Sequence, residues 1–188
     1  VESNDDDGRF RVATKTTEER LAEIRRQIDE LDDRVDDGTA RARTQLQTRL
    51  DVLREQEAST WAAVREKAET VDEMFRQLEI DIDIAENRLA SEMADTATSF
   101  AEAVEAELHD WDAAIERLQM RAATKAQGAR ELAEAAIAEL RQARNRAAER
   151  LTALRASSDH AWQEQRNRVT DALDDLERRA REAASRFH

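Results

Sequence analysis

Cysteine, proline and tyrosine are absent from this 188-residue chain, and glycine occurs three times. Without cysteine no disulfide framework can form, and a structural zinc site loses its usual thiolate ligands. Tight turns draw on glycine and proline, so their scarcity argues against sandwiches, barrels and doubly wound α/β folds. Aromatic residues make up 4% of the chain, and 35 of its 75 apolar residues are alanine. Only 40 larger apolar side chains remain to build a core, few for a compact globule of this length. No uncharged stretch approaches the roughly 20 apolar residues that a membrane-spanning helix requires. No glycine-rich phosphate loop is present, and no serine or threonine sits in a recognisable nucleophile motif, so an enzyme is not expected.

What the sequence does have is charge and helical period. Charged residues are 39% of the chain, the formal net charge is −13, and Arg outnumbers Lys by 27 to 3. This composition belongs to long helices. The first 15 residues, with Asp5, Asp6, Asp7 and Gly8, show no apolar period and are expected to form a disordered acidic tail. Thr16 and Glu19 then make a capping box, in which hydroxyl and carboxylate satisfy free backbone N–H groups. Leu21, Ile24, Ile28, Leu31 and Val35 follow at alternating spacings of three and four, a heptad seam with Gly38 as its stop. A reversal at Gly38 would lay this seam against Leu46, Leu50 and Leu53.

From residue 39 no strong breaker is evident before Gly128. Trp61, Val64, Ala68, Val71, Phe75, Leu78, Ile82, Ala85 and Leu89 keep a heptad seam. It continues through Met93, Ala97, Phe100, Val104, Leu108, Trp111, Ile115, Leu118 and Ala122. Residues 95–99 contain poor helix formers, but the stripe runs through them, which favours helix over the competing reading of a break and a shorter bundle. After Gly128 the period becomes eleven: Ala129, Leu140, Leu151, Trp162, Leu173 and Ala184 fall on one line, and Leu132, Ala143, Leu154, Gln165, Leu176 and Phe187 on a second. Arg49, Leu50, Leu53, Arg54 and Trp61 also recur, 101 residues on, as Arg150, Leu151, Leu154, Arg155 and Trp162.

The expected fold is therefore all-α: an elongated antiparallel coiled coil or helical hairpin of long amphipathic helices, at residues 16–37, 39–127 and 129–187, able to assemble into a helical bundle. Residues 16–188 would form one elongated domain. The helix-pairing seam is expected to rest on Trp61, Phe75, Trp111, Leu140, Leu151, Trp162 and Leu173. Charge suggests the orientation, because residues 66–116 hold 16 acids and 3 bases whereas residues 117–188 hold 11 acids and 15 bases. A reversal at Gly128 would set Arg141, Arg144, Arg146 and Arg150 beside Glu107, Asp110, Asp112 and Glu116. Exposed pairs of this kind contribute about 0.2–1 kcal/mol each, so burial would supply the stability and charge would choose the direction.

Glu105, His109 and Asp112 share a helical face at a spacing that could hold a metal, but a solvated acidic face explains them better, and no metal or cofactor is expected. Nucleic acid is disfavoured by the net charge. The eleven-residue period with Ala, Arg and Glu over residues 129–188 resembles the exchangeable apolipoproteins, which would imply an amphipathic helical protein on a lipid or granule surface. The chain departs from that pattern in lacking proline, in its scarce lysine and in a narrow, alanine-rich stripe suited to a helix partner. The first expectation is a non-enzymatic structural, scaffold or oligomerisation protein, a homo-oligomer with a dimer favoured, with an unidentified protein partner. Cytoplasmic placement is favoured, and a start at Val1 leaves room for an upstream segment.

Overall fold

The computed structural model describes residues 4–38, 40–66, 70–158 and 161–187. They form six helices: α1 (Asn4–Asp36), α2 (Ala40–Arg65), α3 (Val71–Met93), α4 (Ala97–Ala123), α5 (Gln127–Arg155) and α6 (Trp162–Phe187). There is no strand among the described residues, so the protein is all-α. The chain divides into two compact units, Val1–Glu86 and Asn87–His188, and α3 contributes residues to each.

Helix boundaries differ from the sequence reading at several places. α1 begins at Asn4 and not at Thr16, so residues 4–15 are helical where a disordered tail was expected. The expected single helix over 39–127 is three. Between α2 and α3, Thr70 accepts from the N–H groups of Glu73 and Met74 at 3.1 and 3.0 Å. The Thr70-x-x-Glu73 pattern has the form of a helix start.

The second interruption falls at residues 94–96. Thr96 has an extended backbone, its hydroxyl accepts from Ser99 N–H at 3.1 Å, and Ser99 Oγ accepts from Thr96 N–H at 3.4 Å. This reciprocal cap satisfies donors that a helix start otherwise leaves unbonded. The break expected to be bridged at 95–99 is therefore present. The expected helix over 129–187 is also two helices. After Arg155, Ala156 N–H still reaches Thr152 O at 3.2 Å, but Ser157 donates both its N–H and its hydroxyl to Leu154 O, at 3.0 and 2.7 Å, closing the helix.

The reversal expected at Gly128 lies at Thr124, Lys125 and Ala126 instead. Thr124 is the C-cap of α4, with its hydroxyl donating to Arg121 O at 2.9 Å, and Ala126 is the N-cap of α5. Gly128 is inside the first turn of α5, with open space where a Cβ would stand. A residue capped by its own side chain can end a helix without the left-handed conformation that favours glycine.

The first unit is a set of three helices. Leu21, Ile24, Ile28, Leu31 and Val35 of α1, Leu46, Leu50 and Leu53 of α2, and Phe75, Leu78 and Ile82 of α3 are all buried. Arg25 pairs with Glu57 at 2.5 Å, Asp32 with Arg54, and Asp36 with Arg43 at 3.8 Å, so numbers rise along α1 as they fall along α2. By contrast Arg20 pairs with Glu79 at 2.6 Å and Arg34 with Glu86 at 3.7 Å, so α3 runs in the direction of α1. Full burial of each large apolar side chain contributes about 1.5–3 kcal/mol, well above any of these exposed pairs.

In the second unit α5 packs against both α4 and α6. Arg144–Asp112 at 2.5 Å and Arg155–Glu105 at 2.7 Å give α4 and α5 opposite directions, and Arg146–Asp175 at 2.9 Å with Arg179–Glu139 at 3.7 Å does the same for α5 and α6. α5 presents Ala136, Ala143 and Ala147 to the interior alongside Ile137, Leu140, Leu151 and Leu154. The small residues let two neighbouring helices approach one backbone closely. The last turns of α3 close the remaining side through Asn87, which donates to Asp110 at 2.7 Å, and Arg88, which pairs with Asp174. Helix packing in both units is that of a bundle.

Candidate functional site

The most unusual chemistry lies inside the second unit, where α3, α4 and α6 enclose charged side chains. Arg88 is 2% exposed and Glu107 2% exposed, the latter as deep as the leucines around it. Charged groups are almost never buried this far unless paired. Arg88 Nη2 is bonded to Asp174 of α6 and lies 3.6 Å from Glu92 Oε1, one helical turn along α3. Burial by itself pushes the Arg88 guanidinium down, but the charges of Glu107, Asp174, Glu92 and Glu177 outweigh it and hold the group above its ordinary value. Arg88 thus stays a cation in the interior. Glu107 Oε1 also accepts from the indole N–H of Trp111 at 3.4 Å.

A second arrangement fixes the corner between α3 and α4. Arg166 of α6 donates to Ala94 O at 2.7 Å, Glu92 O at 2.8 Å and Ser91 O at 3.0 Å. These are carbonyls at the end of α3, which no following helical turn could satisfy. The same guanidinium lies over the rings of Phe100 at 5.1 Å and Trp162 at 5.3 Å, and the two rings meet edge to face at 6.2 Å. One arginine thereby caps α3, packs on α4 and anchors the start of α6. Beside it is an open cleft of about 330 Å³, lined by Thr98 and Glu102 of α4, Arg155 at the end of α5, Ser157 and Ser158 after it, and Trp162.

The seam residues read from the sequence are distributed over both units. Phe75 is buried under the Arg20 guanidinium, 4.6 Å from its ring centre, whereas Trp61 is half-buried with Arg65 at 5.3 Å. Trp111, Leu140, Leu151 and Leu173 are buried in the second unit, and Trp162 is half-buried at its end. The suggested duplication shows a structural difference. Leu50 and Leu53 precede Trp61 within the continuous α2, whereas the chain leaves its helix between Leu154 and Trp162.

The eight orienting charges do not all meet across α4 and α5. Arg144 meets Asp112 there, while Arg141 donates to Gln119, Arg146 turns to Asp175 of α6, and Asp110 accepts from Asn87 of α3. Glu107 points into the interior toward Arg88 and Trp111, and Glu116 and Arg150 are exposed. The Arg155–Glu105 pair was not anticipated. For the suggested metal triplet, Glu105 and Asp112 are engaged by arginines and His109 is exposed; among the described residues no three His, Cys, Asp or Glu side chains are grouped to hold a metal. His160 and His188 lie outside the described residues.

Sequence reasoning missed Arg88, Glu92, Arg166 and Asp174. A signal existed for Arg88, which stands three and four residues after the buried Ala85 and Ile84 and so shares their face of α3. No protein-family model, curated protein or solved structure matches this chain.

Proposed function

We propose that the protein is a non-enzymatic structural element, a scaffold or oligomerisation module whose long amphipathic helices pair as antiparallel, coiled-coil-like hairpins. One observation carries this reading: the helices commit their apolar stripes to one another. Among the described side chains, the large apolar groups standing exposed are Val52, Met93, Met120 and Leu132. The outer faces carry a lattice of arginine–carboxylate pairs, which orients helices and keeps the surface hydrated. A frame of this kind acts by geometry, presenting partners on fixed helical faces.

The reading includes self-association, with a dimer favoured. Met120 and Leu132 flank the α4–α5 connection at 60% and 68% exposure, and Leu132 lies on the same line as Ala143, Leu154 and Leu176, which are buried. Sedimentation equilibrium at micromolar concentration tests it. A dimer that the Leu132→Glu substitution dissociates is expected, and a strictly monomeric parent chain would remove the oligomerisation role.

A second reading rests on α6, which segregates apolar from charged residues more sharply than the other five helices. Such a helix suits a lipid surface as well as a helix partner. No described helix is long and apolar enough to cross a membrane. Flotation with anionic vesicles separates the readings: a chain left in the aqueous fraction with unchanged helicity excludes the lipid role.

A further inference from the structure

We infer that the buried Arg88 cluster is an acid-sensitive lock that holds α6 in the second unit and releases it when its carboxylates are protonated. The geometry puts one permanent cation among groups that can lose their charge. Arg88 is fixed on α3 and 2% exposed. The charges that act on it come from each helix around it: Glu92 on its own helix, Glu107 on α4, and Asp174 and Glu177 on α6. At the level of the Arg146–Asp175 pair, α5 offers buried Ala147, which has no charge to give.

Protonation changes this balance in one direction only. A guanidinium does not release its proton in a protein, so acid cannot discharge Arg88. Each carboxylate that takes up a proton loses its charge, and a cation then remains in an interior that excludes water. The least costly response is to expose Arg88 by moving the helix whose carboxylate it binds, and that helix is α6. Asp174 is the partner at the solvent edge, with 43% of its side chain exposed against 5% for Glu92, so the α6 side of the cluster is the side that can open to water. Release of α6 uncovers Val169, Leu173 and Leu176, which are at most 1% exposed when it is docked.

The first unit supplies an internal reference. Its buried polar groups include Glu57, which reaches Arg25 at a 58%-exposed edge, so water can take over the cation when the pair is lost. This inference concerns the second unit's own conformational equilibrium and does not depend on a scaffold role.

The test follows backbone amide signals of the isotopically labelled full chain by NMR from pH 7 to pH 4, comparing α6 with α1 and α2. The native α6 signals are expected to disappear with a midpoint about one pH unit above that of α1 and α2, within the range where carboxylates titrate. The Arg88→Met chain, which replaces the cation with an apolar side chain of similar length, should lose that gap. Simultaneous loss of all native signals in the parent, or a gap that persists in the Arg88→Met chain, overturns the lock. Should Arg88→Met fail to fold at pH 7, Asp174→Asn decides: it mimics the protonated partner without changing size, so it must widen the gap, and an unchanged gap overturns the proposal.

Discussion

The two units solve the same packing problem with different interiors. Residues 1–86 carry 24 acids and 14 bases, a net charge of −10, yet the interior of that unit is formed chiefly by Leu, Ile, Val and Phe, with most of its charge pairs at the edges. Residues 87–188 are nearly balanced, with 19 acids and 16 bases, and this is the unit that takes Arg88, Glu92 and Glu107 inside. Net charge therefore gives no guide to where charge is buried. The difference teaches what each interior can specify. An apolar seam fixes which face of a helix is buried but tolerates sliding by a heptad. A buried ion pair fixes a single register, because any other leaves a charge without its partner.

The largest effect that would sharpen this contrast is expected from Arg88→Ala. It leaves Glu107 and Glu92 buried without their cation and should destabilise the second unit by about 3–5 kcal/mol. Urea unfolding followed by Trp111 fluorescence measures this. Leu50→Ala is the counterpart in the first unit, where Leu50 is fully buried, and should cost about 2–5 kcal/mol by loss of transfer free energy and creation of a cavity. The distinction lies in the remedy. Adding Glu107→Leu to an Arg88→Met chain should recover part of the stability, since the deepest carboxylate left without its cation is then replaced by an apolar side chain. If the double substitution is no better than Arg88→Ala, the buried pair is not the source of the cost.

These differences also explain what the sequence made legible. The seam of α1 and its partners Leu46, Leu50 and Leu53 could be read because heptad spacing directly reports one buried face. The three breaks could not be read that way. Periodicity records which residues face a core, and helices on either side of a connection face the same core, so the stripe passes through Thr96 and through residues 156–161 unbroken. The signals for breaking were local: Thr70 with Glu73, Thr96 with Ser99, and the serines at 157 and 158. None of the three breaks contains glycine or proline, the usual markers of a chain reversal. The Arg88 cluster was hidden for a different reason. Its members come from three helices, and 86 residues separate Arg88 from Asp174, so only the fold brings them together.

Arg166 offers a test of intermediate size. Arg166→Lys keeps the charge but cannot span three carbonyls and two ring faces, and should destabilise the second unit by about 1.5–3 kcal/mol. Protection of the amides at the start of α6 should fall with it, which hydrogen exchange would detect. Asp175 is expected to matter less. Burial pushes its carboxyl up, but hydrogen bonds from Arg179 and Arg146 and the nearby charge of Arg178 outweigh this and hold it below its ordinary value. A carboxyl depressed in the folded state contributes stability that is present above its unfolded value, near 3.9, and lost as pH falls through its folded value. Asp175→Asn should therefore cost under about 1 kcal/mol at pH 7 and progressively less at an acid pH below that folded value, because Arg178 and Arg179 are partly solvated. An equal cost at both pH values would show that packing, not charge, holds Asp175.

The smallest expected effect, on Gly128, has the opposite sign. Read from sequence, this glycine ends a helix, and alanine there would be forced into a left-handed conformation and would destabilise the α4–α5 connection. In the fold the connection is made by Thr124, Lys125 and Ala126, and Gly128 lies in the first turn of α5 with nothing within 4 Å of an added Cβ. Alanine fits that backbone and restricts the unfolded chain, so Gly128→Ala should stabilise the second unit by about 0.4–1 kcal/mol. The paired substitution Thr124→Ala removes the hydroxyl that donates to Arg121 O and should cost a few tenths to about 1 kcal/mol. Thermal unfolding of the two variants separates the alternatives by sign alone. A higher midpoint for Gly128→Ala with a lower one for Thr124→Ala places the reversal at residues 124–126, and a lower midpoint for Gly128→Ala returns it to the glycine.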